Sequence, residues 1–381
     1  MKCIKNANVY IEGKGIISTS LTFTDKIYKI GEAEGEEISI PNNAVVLPGF
    51  IDQHIHGAGG SDFMDGSVET LETISKTLAQ EGTVAYLATT VSASKEKTKK
   101  ALQSVKAYQT RGKCAGAEVI GVHLEGPFIC HKYKGGMNEL HIIKPDVELL
   151  KEFINECGGC VKIVTYAPEI DEGYALLRAL VGANIVPSLG HTNATCEQIE
   201  GALHNGLKNV THTYNAMSPL HHREIGAVGS ALLFDELNCE LIADKIHVSV
   251  PAMKFFLKCK PKEKVVLVTD SMRAKGIGEG LSEIGGQKVI VKDGEARLEN
   301  GTLAGSVLKM NVAIRNLVND LCVPFTDAVD FATKNPAKML GVDKDYGTIE
   351  LNKNASFAVV DEKFEVLLTI VNGEIVYRKE D

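Results

Sequence analysis

Hydrophobic and polar positions follow one rhythm at the two ends of this chain and another in its middle. The first 46 residues give short apolar runs broken by turns, "CIKNANVYIE", "GIISTSLTFTD" and "KIYKIGE", ending in the acidic "EAEGEE". This is a strand pattern. The C-terminal stretch "GTIELNKNASFAVVDEKFEVLLTIVNGEIVYRKED" repeats it, with turn signals at Asn352 to Asn354 and a hairpin dipeptide at Asn372–Gly373. Between these β-rich ends, apolar strand runs alternate with segments of helical period. Eight runs stand out: "VVLPGFIDQHIH", "GTVAYLATT", "EVIGVHLEG", "VKIVTYAPE", "NIVPSLGHT", "KNVTHTYNAM", "CELIADKIHV" and "KVVLVTD". Helices are predicted at 67–80, 95–108, 147–157, 175–181 and 196–203.

Strand–helix alternation repeated eight times predicts an α/β fold of the (β/α)8 barrel type. An open doubly wound sheet is the alternative. It calls for a glycine-rich phosphate turn after its first strand, and "HIHGAGGSD" does not supply G-x-G-x-x-G. Residues 285–305 read as a hairpin inserted after the eighth strand.

Composition narrows the function. The chain has 381 residues, 44% hydrophobic, with a net charge of −8. Nothing offers the basic stripe that a nucleic-acid partner requires. The one dense basic run, "KEKTKK", reads as the solvated face of an amphipathic helix. No apolar run reaches the ~18 residues of a membrane span. Nine cysteines, an odd number at irregular spacing behind an N-terminus without an apolar signal region, predict reduced thiols and a cytoplasmic protein. Cys157 and Cys160 form a C-x-x-C with no second pair, which reads as a glycine loop ahead of a strand.

Chemistry in a barrel gathers at the C-terminal ends of the strands. There the sequence places His54 and His56, Glu125, His191, His212, His247 and Asp270. Residues i and i+2 of a strand share a face, so His54 and His56 can aim two nitrogens at one point. With Glu125, His191 and His212 they form a mixed N/O set suited to a borderline divalent cation. Each has a structural alternative when taken singly. His-x-His can be two hydrogen-bonded imidazoles, His191 and Asp270 can cap helices, and Glu125 can serve a helix N-terminus. Their equivalent placement on successive units is what favours a site. His123, His131, His141 and His204 lack that placement and read as structural or exposed. His221 and His222, beside Arg223, read equally well as a solvated loop or a binding element.

The segments "PGFIDQHIHG", "GVHLEGPF", "SLGHT", "THTYNAMSPLHHRE", "LVTDSMRAKG", "GTLAGSVLKMN" and "ATKNPAKMLG" resemble the amidohydrolase superfamily and, within it, the N-acetylglucosamine-6-phosphate deacetylase family. The resemblance spans nearly the whole chain. "HLEGPF", "YNAM" and "TLAGS" are the segments specific to the deacetylases.

It implies a (β/α)8 TIM-like barrel at 47–344 and a small β-sandwich domain built from both chain ends, 1–46 plus 345–381. It implies one or two divalent ions (Zn, Fe, Mn or Co), the main one on Glu125, His191 and His212, with His54 and His56 lining a second or alternative site. Asp270 would serve as base and then acid in hydrolysis of an N-acetyl group. Arg223, His247 and the backbone at Asn215 and Ala216 would hold a sugar phosphate, Leu303, Ala304 and Gly305 would close over the sugar, and Gly136 and Met137 would lie beside it. A homodimer is implied too, with no nucleic-acid or membrane partner. Where many relatives read K-G-A-H, this chain reads "KYKGGMNE", putting Met137 in place of a polar residue. A thioether is no substitute for a strong donor, so the resemblance leaves the sugar epimer open between glucosamine and galactosamine. Another metal-dependent amidohydrolase, or a non-catalytic barrel scaffold, are the competing functions.

Overall fold

A single glycine divides the first long apolar run. In the computed structural model, which describes residues 1–112 and 115–380, Val45–Pro48 and Phe50–Ile55 are separate strands in separate sheets. Gly49 stands at the crossing: its N–H donates to Ser356 O at 3.0 Å, and the next amide donates to Gly82 O at 3.0 Å. A Cβ at Gly49 would lie 2.2 Å from a methyl of Val84, so only glycine lets the backbone change sheets here.

The terminal sheet joins both chain ends. Val45–Pro48 runs antiparallel to Phe357–Val360 on one side and parallel to Lys2–Ile11 on the other. Gly15–Phe23 and Ile27–Ile30 extend one edge, and Val366–Val371 and Glu374–Arg378 the other. Asn372 and Gly373, both at positive φ, make the hairpin turn that the dipeptide predicts. Inward residues of both halves, among them Ile4, Leu21, Phe23, Val46, Phe357 and Ile370, close a small core of their own, giving a β-sandwich-like layer.

The eight-stranded parallel sheet forms the barrel. Its strands are β1 (Phe50–Ile55), β2 (Thr83–Thr89), β3 (Glu118–Glu125), β4 (Val161–Tyr166), β5 (Val186–Leu189), β6 (Asn209–Val210), β7 (Asn238–Leu241) and β8 (Val265–Leu267), paired in chain order. Helices α1 (Val68–Ala79), α2 (Lys95–Thr110), α3 (Val147–Glu156), α4 (Ala175–Gly182), α5 (Cys196–His204), α6 (Gly226–Leu233), α7 (Val250–Cys259) and α8 (Met310–Leu321) follow the successive strands. Ser67, Ser94, Asp146 and Thr195 cap α1, α2, α3 and α5 with side-chain oxygens, which is why these helices begin within a residue of their predicted starts.

Closure between β1 and β8 excludes the open sheet. Ile55 bridges Ser271 in parallel, Asp270 N donates to His54 O at 2.8 Å, and His56 N donates to Ser271 O at 2.9 Å. Asp52 pins the same seam, accepting from Thr269 Oγ1 at 2.5 Å and from the amides of His54 and Thr269. Close by, Lys275 and Glu81 form a buried ion pair at 2.6 Å.

The late strands are shorter than their apolar runs. β6, β7 and β8 stop at Val210, Leu241 and Leu267, and the rest of each run is loop reaching over the barrel mouth. His247 therefore lies on the loop ahead of α7 rather than on a strand. The insertion after β8 is larger than the predicted hairpin. It is a three-stranded antiparallel sheet of Gly280–Ile284, Gln287–Lys292 and Glu295–Leu298, with Val289 and Val291 turned inward.

Lys95 and Lys99 of the basic run face Glu152 on α3, as expected of a solvated helix face. Cys157 ends α3, and Cys160 N donates to its sulfur at 3.2 Å in the loop before β4. Eight cysteines are free, and Cys114 lies outside the described residues. Among the described residues no helix is long and apolar enough to cross a membrane.

Candidate active site

The strand ends deliver their side chains to the barrel mouth through sharp backbone turns. His54 is held inside β1, and Glu125 is the last residue of β3. His191, His212 and Asp270 follow β5, β6 and β8 in the left-handed region, at φ of 48°, 29° and 48°. A non-glycine residue there costs on the order of 1 kcal/mol or more. Three such residues on one rim mark strain held in place by the surrounding fold. It turns each side chain from the strand face toward the barrel axis.

The donors converge. Glu125 Oε1 lies 3.1 Å from His191 Nε2 and 2.9 Å from His212 Nε2, and the two imidazole nitrogens are 3.2 Å apart. Ligands about 2.0–2.1 Å from a tetrahedral cation stand ~3.3 Å from one another, so this trio is spaced as a coordination set. On the other side of Glu125, His56 Nε2 lies 3.3 Å from Oε2 and 3.1 Å from Asp270 Oδ1. His54 Nε2 is 3.5 Å from Glu125 Oε1 and 3.6 Å from Asp270 Oδ1, buried and without a hydrogen-bond partner. Glu125 Oε1 thus faces His191, His212 and, more distantly, His54, while Oε2 faces His56.

The opposite ring nitrogens of His56, His191 and His54 are already engaged, whereas His212 Nδ1 is buried without a partner. His56 Nδ1 meets Thr89 O at 3.2 Å, His191 Nδ1 meets Tyr133 O at 2.9 Å, and His54 Nδ1 meets Glu240 Oε2 at 3.0 Å. Donation from Nδ1 leaves the Nε2 lone pair free to face the centre, as a ligating imidazole requires.

The field at this centre calls for positive charge. Burial would push His54 and His56 down, but the carboxylates of Glu125 and Asp270 outweigh it, raising His54 well above the usual range and His56 to about 10. Burial likewise opposes ionisation of Glu125 and Asp270, yet the imidazoles hold Glu125 well below the carboxylate range and Asp270 at about 2. Protons on the imidazoles or a cation among them satisfy the same demand. The donor chemistry, the spacing and the unpartnered His54 Nε2 fit a divalent metal.

A cavity of about 360 Å³ opens over these groups, large enough for a small molecule. His56, Glu125, His191, His212 and Asp270 form its polar floor. Gly136, Met137, Asn215, Ala216, His247, Leu303, Ala304 and Gly305, all singled out from sequence, line its walls. His247 is fixed by Asp244, whose Oδ2 lies 2.6 Å from Nδ1. Met137 turns its sulfur to the Ser92 amide at 3.3 Å.

Arg223 is not brought into this cavity. It sits on an exposed loop with Nη1 2.7 Å from His222 Nε2. Its neighbour Glu224 accepts backbone amides of Cys196 and Gly226 rather than the guanidinium. His123 is buried, with Nδ1 3.2 Å from Gln53 O and Nε2 2.7 Å from Thr165 Oγ1, and burial first, then the charge of His54, push it down to about 3.

Two residues escaped the sequence reading. Glu240 lies fully buried in β7, and its signal was present: a carboxylate inside the apolar run "CELIA". Arg297 lines the cavity from the inserted sheet, and no local motif marks it.

A closed (β/α)8 barrel with His-x-His on its first strand and further donors at the same rim defines a class of metal-dependent hydrolase. The chain belongs to the amidohydrolase family, whose model matches residues 45–376. Among its relatives, an N-acetylglucosamine-6-phosphate deacetylase of Bacillus subtilis is 42% identical over 98% of this chain and 93% of its own length. An N-acetylgalactosamine-6-phosphate deacetylase of Escherichia coli O157:H7 is 34% identical over 87% of each. The crystal structure of N-acetylglucosamine-6-phosphate deacetylase from Thermotoga maritima superposes with a TM-score of 0.89 at 36% identity, covering 99% of this chain and 100% of that one. A Mycobacterium smegmatis deacetylase in complex with N-acetyl-D-glucosamine-6-phosphate gives 0.90 at 27% identity, covering 98% and 99%.

Proposed function

We propose that this chain hydrolyses the N-acetyl group of N-acetylglucosamine 6-phosphate, giving acetate and glucosamine 6-phosphate. The observation that carries this is the convergence of Glu125, His191 and His212 beside Asp270 on the floor of one small cavity. These three residues would hold the main divalent ion, with His54 and His56 lining a second or alternative site. When bound, such a cation supplies Lewis acidity toward the amide carbonyl and lowers the pKa of water.

The chain's own groups handle the proton. Asp270 is ionised, so it accepts a proton from the attacking water as the new C–O bond forms. It then delivers that proton to the amide nitrogen as the C–N bond breaks, and the amine leaves neutral. His56 Nε2 lies 3.1 Å from Asp270 Oδ1, so the ring and the carboxylate face the same point of the centre. Asn215, Ala216 and His247 would face the phosphate end, Gly136 and Met137 would flank the sugar, and Leu303 to Gly305 would cover it and exclude water. The exposed loop carrying Arg223 would meet a neighbouring subunit in a cytoplasmic homodimer.

The galactosamine epimer is the second reading, because Met137, its sulfur held by the Ser92 amide, gives the sugar no hydrogen-bond donor with which to select one epimer. Acetate release from both N-acetylhexosamine 6-phosphates and from unphosphorylated N-acetylglucosamine, with metal content measured on the same sample, decides between them. Metal-loaded protein that releases no acetate from either phosphate refutes both readings.

A further inference from the structure

The cavity floor carries two carboxylates, and a phosphate dianion entering above them needs positive charge held away from that floor. Among the described residues lining the cavity, Arg297 is the one arginine or lysine. It belongs to Glu295–Leu298, the last strand of the inserted sheet, and so reaches the barrel mouth from outside the barrel.

Its position is fixed at both ends. Nε donates to Glu295 Oε2 at 2.6 Å and Nη1 donates to Gly301 O at 2.7 Å, and neither bond uses Nη2. The strand folds back on itself: Leu298 N donates to Thr302 O at 2.9 Å and Ala304 N to Ala296 O at 3.0 Å. Arg297 thereby pairs with Leu303 in an isolated bridge. From there the chain is tied to the reacting centre, because Ser306 N donates to Asp270 O at 2.8 Å. Arg297 lines the same cavity as His247, where, against burial, Asp244 and Asp270 hold the ring above its usual range and Arg297 is a minor opposing charge.

We infer that Arg297 recognises the anionic group of the substrate within the same subunit, its free guanidinium edge taking a phosphate oxygen beside His247. This rests on the reading that the substrate is a sugar phosphate. A planar fork preset by two bonds loses little freedom on binding an oxyanion. Glu295 offsets part of the charge, but the pair is well exposed, with side chains 41% and 36% accessible, so water screens that attraction. Arg297 acts on affinity rather than on the chemical step, since Asp270 and the metal donors meet the amide while Arg297 meets the phosphate.

The test compares wild type, Arg297→Ala, Arg297→Lys and Arg223→Ala on N-acetylglucosamine 6-phosphate and on unphosphorylated N-acetylglucosamine. Inorganic phosphate serves as a competitive inhibitor on each. Arg297→Ala is expected to raise KM for the phosphorylated sugar roughly 10- to 100-fold, the range for losing one charge-assisted hydrogen bond. Its kcat should stay within about threefold, its KM for the unphosphorylated sugar should not move, and its phosphate inhibition should weaken in proportion. Arg297→Lys should recover part of the loss, because charge returns without the fork. If wild type prefers the phosphorylated sugar and Arg297→Ala keeps both that preference and phosphate inhibition, the inference fails alone. A KM effect confined to Arg223→Ala overturns it in the same way. A wild type indifferent to the phosphate overturns the functional reading, and this inference with it.

Discussion

Replacing Glu240 by glutamine isolates one buried charge behind the metal donors. Each Glu240 oxygen accepts two bonds: Oε1 from Gln53 Nε2 at 2.7 Å and Asn209 Nδ2 at 3.0 Å, Oε2 from His54 Nδ1 at 3.0 Å and His212 N at 3.1 Å. Glutamine turns one of these oxygens into a donor. The NH₂ cannot take the Oε2 place, because the His212 backbone amide cannot reorient. It can take the Oε1 place, because Gln53 Oε1 and Asn209 Oδ1 have no partners and those amides can flip to accept it. The flip gives up the Asn209 Nδ2 bond to Ser188 Oγ, at 2.9 Å. One neutral bond is lost and four charge-assisted bonds become neutral, offset in part by relief of the buried charge, which amounts to about 3–5 kcal/mol of stability.

The larger effect falls on His54. Loss of a carboxylate behind a ligating imidazole costs ~10–100-fold in metal affinity or activity. Glu240→Gln should therefore fold, unfold at a lower urea midpoint, and bind divalent metal more weakly after chelator treatment and titration. Glu240→Ala would leave four donors facing nothing and tests only folding. A Glu240→Gln protein with wild-type metal affinity and wild-type kcat would show that the carboxylate fills space without tuning His54.

Asp270→Asn should keep its metal content and lose ~10²–10⁴-fold in kcat, because asparagine cannot take the water proton; wild-type turnover would remove Asp270 from the chemistry. Lys275→Met should cost about 3–5 kcal/mol, since it strands the buried carboxylate of Glu81. The double variant Glu81→Leu/Lys275→Met should lose less than the single one. Urea unfolding of both reads this, and equal midpoints for the single variant and wild type would contradict it.

The chain's own order of residues determined the repeat, the helix starts and the identity of the rim donors. Apolar period and capping side chains act over a few residues, so "SVETLETISK" and "HIH" carry their meaning locally. The barrel's closure, the switch of sheets at Gly49 and the third inserted strand were decided by contacts between distant segments, such as Ile55 with Ser271 and Gly49 with Val84. The same holds for chemistry. His54 and His56 were legible because a strand's period puts them on one face. Arg223 looked like an anion binder by type, yet its loop leaves it outside its own chain's cavity. Arg297 had no local mark and reaches the cavity only through the fold of an insertion. A residue's chemistry is fixed by its side chain, but what it acts on depends on which remote backbone brings it within a hydrogen bond's length.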